Sequence, residues 1–192
     1  KTIIIESATG TGKTTSVAKF LSDRMIKNID EKLLSIVSRR SLCIQQKETF
    51  EKYEIDVSRY DDEHNVYDDN IIVQLDSLYK LYGDFNQGFD NFVVYLDEVN
   101  SLINHLITSD TLNGKELEVY LLLVKIIRKC KILICSDADI SDVVFEFIEK
   151  YRNQTYSLFI RNQYRSCKDI NAYRMFNKDQ LQVEESMINM ML

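Results

Sequence analysis

A chain of 192 residues, 45% hydrophobic and 28% charged, has the size and balance of one soluble globular domain that can bury a core without covalent staples. Its formal net charge of −6 excludes wholesale electrostatic capture of nucleic acid, so any contact with DNA has to come from a local patch. The apolar runs are too short to span a bilayer, no signal peptide is visible, and Cys43, Cys130, Cys135 and Cys167 have neither zinc-site spacing nor a secreted disulfide framework. These features exclude a membrane span and point to an intracellular, non-secreted protein with reduced thiols.

The chain begins at Lys1 inside a strand-like run and ends in the apolar "SMINMML", which reads as a piece cut from a longer protein. "TIIIE" predicts a strand, and residues 13–26 carry apolar side chains at Val17, Phe20, Leu21 and Met25, a helical spacing. "KLLSIVS" predicts a second strand and residues 40–53 a second helix. The short runs "IDVSRY" and "IIVQL" flank the acidic stretch 61–69, which reads as a solvated loop. "FVVYL" is a further strand ending in Asp97 and Glu98. An apolar helix over 116–130 leads into the strand "KILIC", then a helix over 139–152 and a late strand, "YSLFI". Strands apolar at consecutive residues, interleaved with helices, predict a mainly parallel sheet covered on both faces.

Between the first strand and the first helix lies "SATGTGKTT". Its strict part, Gly12-Lys13-Thr14, in a strand-to-helix context, is a phosphate-binding loop (Walker A); Ser7 stands where Gly or Ala is usual. A loop that wraps phosphates must aim successive backbone N–H groups inward, and Gly10 and Gly12 supply the backbone angles this needs. The following helix directs its positive end at the same point. Ser7, Ala8, Thr9, Gly10, Thr11, Gly12, Lys13, Thr14 and Thr15 are therefore the candidate ATP-binding stretch. Lys13 is expected to reach the β- and γ-phosphates, and the Thr14 hydroxyl to ligate Mg2+. Ligands of such sheets collect at the carboxyl ends of strands, so Asp97 is expected to face the Mg2+, in part through water, and Glu98 to act as base on the attacking water. In "KILICSDADIS", Ser136, Asp137 and Asp139 end another strand near the same crevice; Asp139 or Ser141 could equally cap the next helix.

These segments resemble superfamily 2 helicases. "SATGTGKTT" is similar to their motif I, "LDEVN" to the Asp-Glu-x-x box of motif II, "CSDAD" lies where motif III belongs, and "SIVSRRSLCIQQ" resembles motif Ia. Together with "QLDSLYKL", the set is most similar to the herpesvirus-type replication origin-binding proteins, found also in large DNA viruses, over residues 1 to about 142. The resemblance implies a RecA-like P-loop NTPase lobe with catalytic Lys13, Asp97 and Glu98. It also implies that Ser136 and Asp137 couple the γ-phosphate state to DNA, and that Ser38, Arg39 and Arg40 touch the backbone of a single strand. Two adjacent arginines leaving a strand suit phosphate contact, with a solvated basic turn as the alternative. Motif III departs from the usual Ser-Ala-Thr, nothing similar to motifs IV to VI follows, and "RNQYRS" places Arg161 and Arg165 outside any arginine-finger pattern.

The reading is a three-layer α/β RecA-like P-loop NTPase domain with a mainly parallel sheet. Residues 1–155 form the first lobe; residues 156–192 end it and start the connection to a second lobe. The expected parent is an ATP-dependent DNA helicase that uses ATP and Mg2+ in viral-type DNA replication, and the isolated chain is expected to be almost inactive. The rivals are another P-loop enzyme such as a nucleotide kinase, which should show a lid arginine cluster, and a catalytically silent nucleotide-binding interaction module.

Overall fold

The computed structural model describes residues 1–61, 70–81, 88–108, 110–112, 114–152 and 157–164. The strands are β1 (Thr2–Ser7), β2 (Lys32–Val37), β3 (Ser58–Arg59), β4 (Asn70–Gln74), β5 (Phe92–Asp97), β6 (Ile132–Asp137) and β7 (Ser157–Asn162). The helices are α1 (Lys13–Met25), α2 (Arg40–Glu51), α3 (Val99–Thr108), α4 (Glu116–Lys129) and α5 (Asp142–Arg152), with a 3-10 segment at Leu75–Leu81. The strands form one sheet in the order β3-β4-β2-β5-β6-β1-β7, and every pairing between them is parallel. The segment leaving β1 runs into α1 on one face of the sheet and the segment leaving β5 into α3 on the other, so the two part and open a crevice over the carboxyl ends of the middle strands.

Both faces of the sheet are covered, which is why the central strands are apolar at nearly every position. Side chains alternate across a strand, and the alternation sorts the core into two layers. Val93 and Tyr95 of β5, Leu33 and Val37 of β2, and Ile132 and Ile134 of β6 pack with α1 and α2. Their neighbours Val94, Leu96, Leu34, Ile36, Leu133 and Cys135 pack with α3, α4 and α5. By the same parity, Ser35, Asp97 and Ser136 face the α1–α2 layer. Polar side chains are thereby placed inside an apolar layer, where each must find a partner.

Among the described residues the expected elements form, with the following differences. The helix expected over 139–152 starts at Asp142, because residues 138–141 are held by α3 as described below. The segment Leu75–Leu81 is 3-10, and α3, not anticipated, occupies "VNSLINHLIT". The acidic loop from residue 62 onward, Arg165 and Cys167 lie outside the described residues. Cys43, Cys130 and Cys135 are buried free thiols; burial pushes the first two up to about 11.

Arg152, 5% exposed, closes the edge opposite the crevice. Its guanidinium donates to the carbonyls of Ile127 and Cys130 (both 2.6 Å), Lys1 (3.0 Å) and Lys131 (3.2 Å), satisfying the last carbonyls of α4 and tying them to β1. Arg152→Met removes the guanidinium donor from the Ile127 and Cys130 carbonyls, so unfolding stability in urea should fall by roughly 3 kcal/mol, the sum for two poorly satisfied groups. An unchanged urea midpoint would show that α4 is capped in another way.

Candidate nucleotide site

The loop between β1 and α1 is built on two left-handed residues, Gly10 (φ 76°) and Gly12 (φ 80°). Gly12 is the N-cap of α1, with no side-chain cap and no acidic residue in the first turn, so the positive end of the helix is left to an external anion. A chain of hydroxyls shapes the loop. Asn162 Nδ2 donates to Ser7 Oγ (2.9 Å), and Ser7 and Thr11 hydroxyls meet at 2.5 Å. The Thr11 proton goes to the Ala8 carbonyl (2.6 Å), so Ser7 is the donor to Thr11. The hydroxyl of Ser7, the departure from the usual small residue, thus ties β7 to the loop. Lys13 Nζ donates to the loop's own carbonyls at Ser7 (2.6 Å) and Ala8 (3.2 Å).

Asp97 stands two strands away at the same level: Asp97 is in register with Ser136, and Ser136 with Ile5, two residues before the loop. Its carboxylate is 5% exposed and accepts four hydrogen bonds. Ser136 Oγ (2.7 Å) and the Glu98 amide (3.1 Å) donate to Oδ1; Gln46 Nε2 (2.8 Å) and Thr14 Oγ1 (3.3 Å) donate to Oδ2. Behind these donors stand Ser35, which donates to Gln46 Oε1 (2.6 Å), and Tyr95, 2.9 Å from the Ser136 oxygen. The Ser136 proton lies on Asp97, so Tyr95 donates to Ser136. Burial and the Asp97 charge push the Tyr95 hydroxyl well above the ordinary tyrosine range, which keeps it a donor.

Glu98 takes a left-handed conformation (φ 52°), an arrangement that costs on the order of 1 kcal/mol or more for a residue with a side chain. The turn breaks the strand alternation just after Asp97 and starts α3. The buried Ser38 hydroxyl lies 3.5 Å from Glu98 Oε2. Asp137 accepts from the Asn100 amide (2.8 Å) and the Ala138 amide (2.7 Å). The Asn100 side chain accepts from the Ser141 hydroxyl (2.6 Å) and donates to the Asp139 carbonyl. Ser136, Asp137 and Ser141 are therefore committed to β5 and α3, and the Ser141 hydroxyl does not cap α5.

The loop, Asp97, Glu98 and Asp137 line one open cleft of about 670 Å3, which α2 borders through Gln45, Gln46 and Thr49. Arg39 and Arg40 are exposed at the start of α2, along the same edge. Arg161 lies to the other side of the loop, paired with Glu6 at 2.6 Å. A hydroxyl and a carboxylate 3.3 Å apart beside a lysine form a hard-oxygen set that suits Mg2+ with phosphate.

Gln46, Tyr95, Ser35 and Asn100 are the residues that sequence reasoning missed. Gln46 had a signal: it lies between Cys43 and Phe50 on the buried face of α2, an amide at an apolar position. Gln46→Leu removes a donor from Asp97 and strands the Ser35 hydroxyl. Stability should fall by about 1–3 kcal/mol, and more Mg2+ should be needed to support nucleotide binding in calorimetry. Loss of stability with an unchanged Mg2+ requirement would reduce Gln46 to packing.

The family described as "Origin of replication binding protein" matches residues 1–187. The replication origin-binding protein of human herpesvirus 6B (strain Z29) is 27% identical over 175 residues, covering 90% of this chain and 21% of that protein. A protein of Acanthamoeba polyphaga mimivirus whose name carries the same origin-binding role is 28% identical over 178 residues, 88% of this chain and 22% of its own length. The chain thus spans about a fifth of these relatives. Among solved structures, a DEAD box protein from Methanococcus jannaschii superposes with a TM-score of 0.59 at 20% identity over 83% of this chain and 45% of its own. The UvsW helicase of bacteriophage T4 gives 0.57 at 16% identity, over 83% and 54%. These two likenesses establish the RecA-like fold of helicase domains, and the match along nearly the whole sequence establishes the lineage: the chain is a member of the origin of replication binding protein family.

Proposed function

We propose that this chain is the ATP-binding first lobe of a DNA helicase that works at replication origins in viral-type replication, inside the cell. The observation that carries the reading is the buried Asp97 carboxylate, held by four donors and aimed at Thr14 beside the Lys13 loop. Support for the setting comes from the herpesvirus and mimivirus relatives, and no described helix is long and apolar enough to cross a membrane.

In this reading, Lys13 exchanges the carbonyls of Ser7 and Ala8 for phosphate oxygens, while the backbone N–H groups of the loop and of the first turn of α1 take the rest of the phosphate charge. Thr14 and Asp97 would hold Mg2+, which would supply charge neutralisation at the phosphates. Glu98, turned out of the strand by its left-handed backbone, accepts the proton of the attacking water. Ser38, expected at the backbone of a single strand, is buried beside Glu98 and in this reading steadies its carboxylate instead. Ser136 and Asp137 link this chemistry to α3 and β6, and Arg39 and Arg40 take the phosphates of a single strand. Residues 1–155 are the body of the lobe, and 156–192 close it and lead to a second lobe that completes the cleft. The closing role is supported for residues 157–162, since β7 pairs with β1 along its whole length and completes the sheet.

Two variants test the assignment together. Lys13→Ala should abolish or strongly weaken MgATP binding in calorimetry with an unchanged circular dichroism spectrum. Glu98→Gln should bind nucleotide like the wild type but, in the full parent protein, lower DNA-stimulated ATP turnover by at least about a hundredfold, the usual worth of a general base. Undiminished binding by the first, or wild-type turnover by the second, would overturn the respective role.

A further inference from the structure

Two guanidinium groups from separate elements converge on one carboxylate oxygen at the edge of the sheet. Arg40, the first residue of α2, and Arg59, the last residue of β3, reach Asp61 Oδ2 at 2.9 and 2.6 Å. Because all strands are parallel, the ends of β2, β3 and β4 lie on the same edge as the phosphate loop, and the arginines lie farther along that edge, past β2. The Arg40 side chain is 69% exposed, whereas those of Arg59 and Asp61 are 17% and 21% exposed. One face of the trio is thus open to an incoming anion. Beside it, the Lys80 ammonium lies 5.5 Å from the centre of the Tyr60 ring, and the Tyr60 hydroxyl is 3.4 Å from Gln74 Oε1. Tyr60 packs against both core layers, so this edge offers charge for the phosphates of a strand rather than a stacking platform for its bases.

We propose that Arg40 and Arg59 form a phosphate site for single-stranded DNA, and that Asp61 occupies this site as an internal stand-in until the strand displaces it. The inference rests on the DNA-binding reading above and adds to it a second arginine, Arg59, and a competitor, Asp61. Arginine presents the same fork of N–H donors to a carboxylate and to a phosphate, so one anion can replace the other without rearranging the pair. A partly exposed ion pair contributes little stability, so exchange is cheap. The carboxylate raises the threshold for strand binding in a chain that is already net acidic. Weak engagement with stray nucleic acid is then disfavoured, while a strand that also contacts Arg39 and the neighbouring cations prevails.

The test is fluorescence anisotropy with labelled dT20, across a salt series, on the chain and its Asp61→Asn, Arg40→Gln and Arg59→Gln variants. Asp61→Asn should bind roughly twofold to fivefold tighter at low salt, as expected for removing a surface-type ionic competitor. Its log-affinity against log-salt slope should steepen by up to about 0.7 per freed contact. Each arginine variant should bind more weakly with a shallower slope, and Asp61→Asn combined with Arg59→Gln should lose most of the gain. If both arginine variants weaken binding but Asp61→Asn does not strengthen it, the strand-binding reading survives and the stand-in is overturned. If the arginine variants bind as the wild type does, the strand-binding reading of this edge falls as well. Thermal melts establish folding, and should Asp61→Asn not fold, an Arg59→Gln variant that is folded and unimpaired overturns the proposal by itself.

Discussion

Asp97, 5% exposed and facing the apolar layer between the sheet and α1 and α2, has to be held, because an ionised group without partners in such a place costs several kcal/mol. The four donors on Asp97 come from four places: Thr14 in α1, Gln46 in α2, Ser136 in β6 and the amide at the start of α3. Satisfying this one side chain therefore fixes the relative position of both helices of one layer, the central strand and the turn into the other layer. The same bonds point the carboxylate toward Thr14 and the phosphate loop. Stability and site geometry rest on one network, which is why its members are buried while the loop beside it stays open.

The network continues into both walls of the cleft. Asp137 holds the amide of Asn100, and Asn100 holds residues 139 and 141, so the end of β6 is tied to the start of α3. On the far side, α2 begins with Arg40 at the surface and presents Gln46 to Asp97 less than two turns later. One rigid helix thus spans the distance between the proposed strand site and the proposed metal site. The left-handed turn at Glu98 is the local cost of separating two adjacent carboxylates, one facing inward to the network and one toward the cleft.

Much of this was legible in the sequence. The parallel sheet followed from strands that are apolar at consecutive positions, and the loop from glycines placed where only a left-handed backbone can turn. The segment "VNSLINHLIT" was not read as a helix, although its buried Val99, Leu102, Ile103 and Leu106 have helical spacing. It directly follows a strand and carries no capping residue that announces it. The residues behind the donors to Asp97 were missed for another reason. Ser35 and Tyr95 are ordinary residues by type, and their role follows from strand parity combined with register, which pairs Ser35 with Tyr95 and Ser136 with Asp97. Parity could be read from each strand alone, but register is set by the fold. The ion pairs at Asp61 were equally out of reach, since they depend on β3 lying at the edge of the sheet.

The central claim is that Asp97 and Thr14 hold a metal-nucleotide complex together with the Lys13 loop. Its most direct measurement is a calorimetric titration of the chain with ATP in excess Mg2+ and again in EDTA. Binding should be saturable in Mg2+, and should weaken strongly without it, because the buried carboxylate then faces the phosphates with no cation between them. Equal affinity in the two buffers would contradict the claim and leave the Asp97 network a structural feature of the sheet.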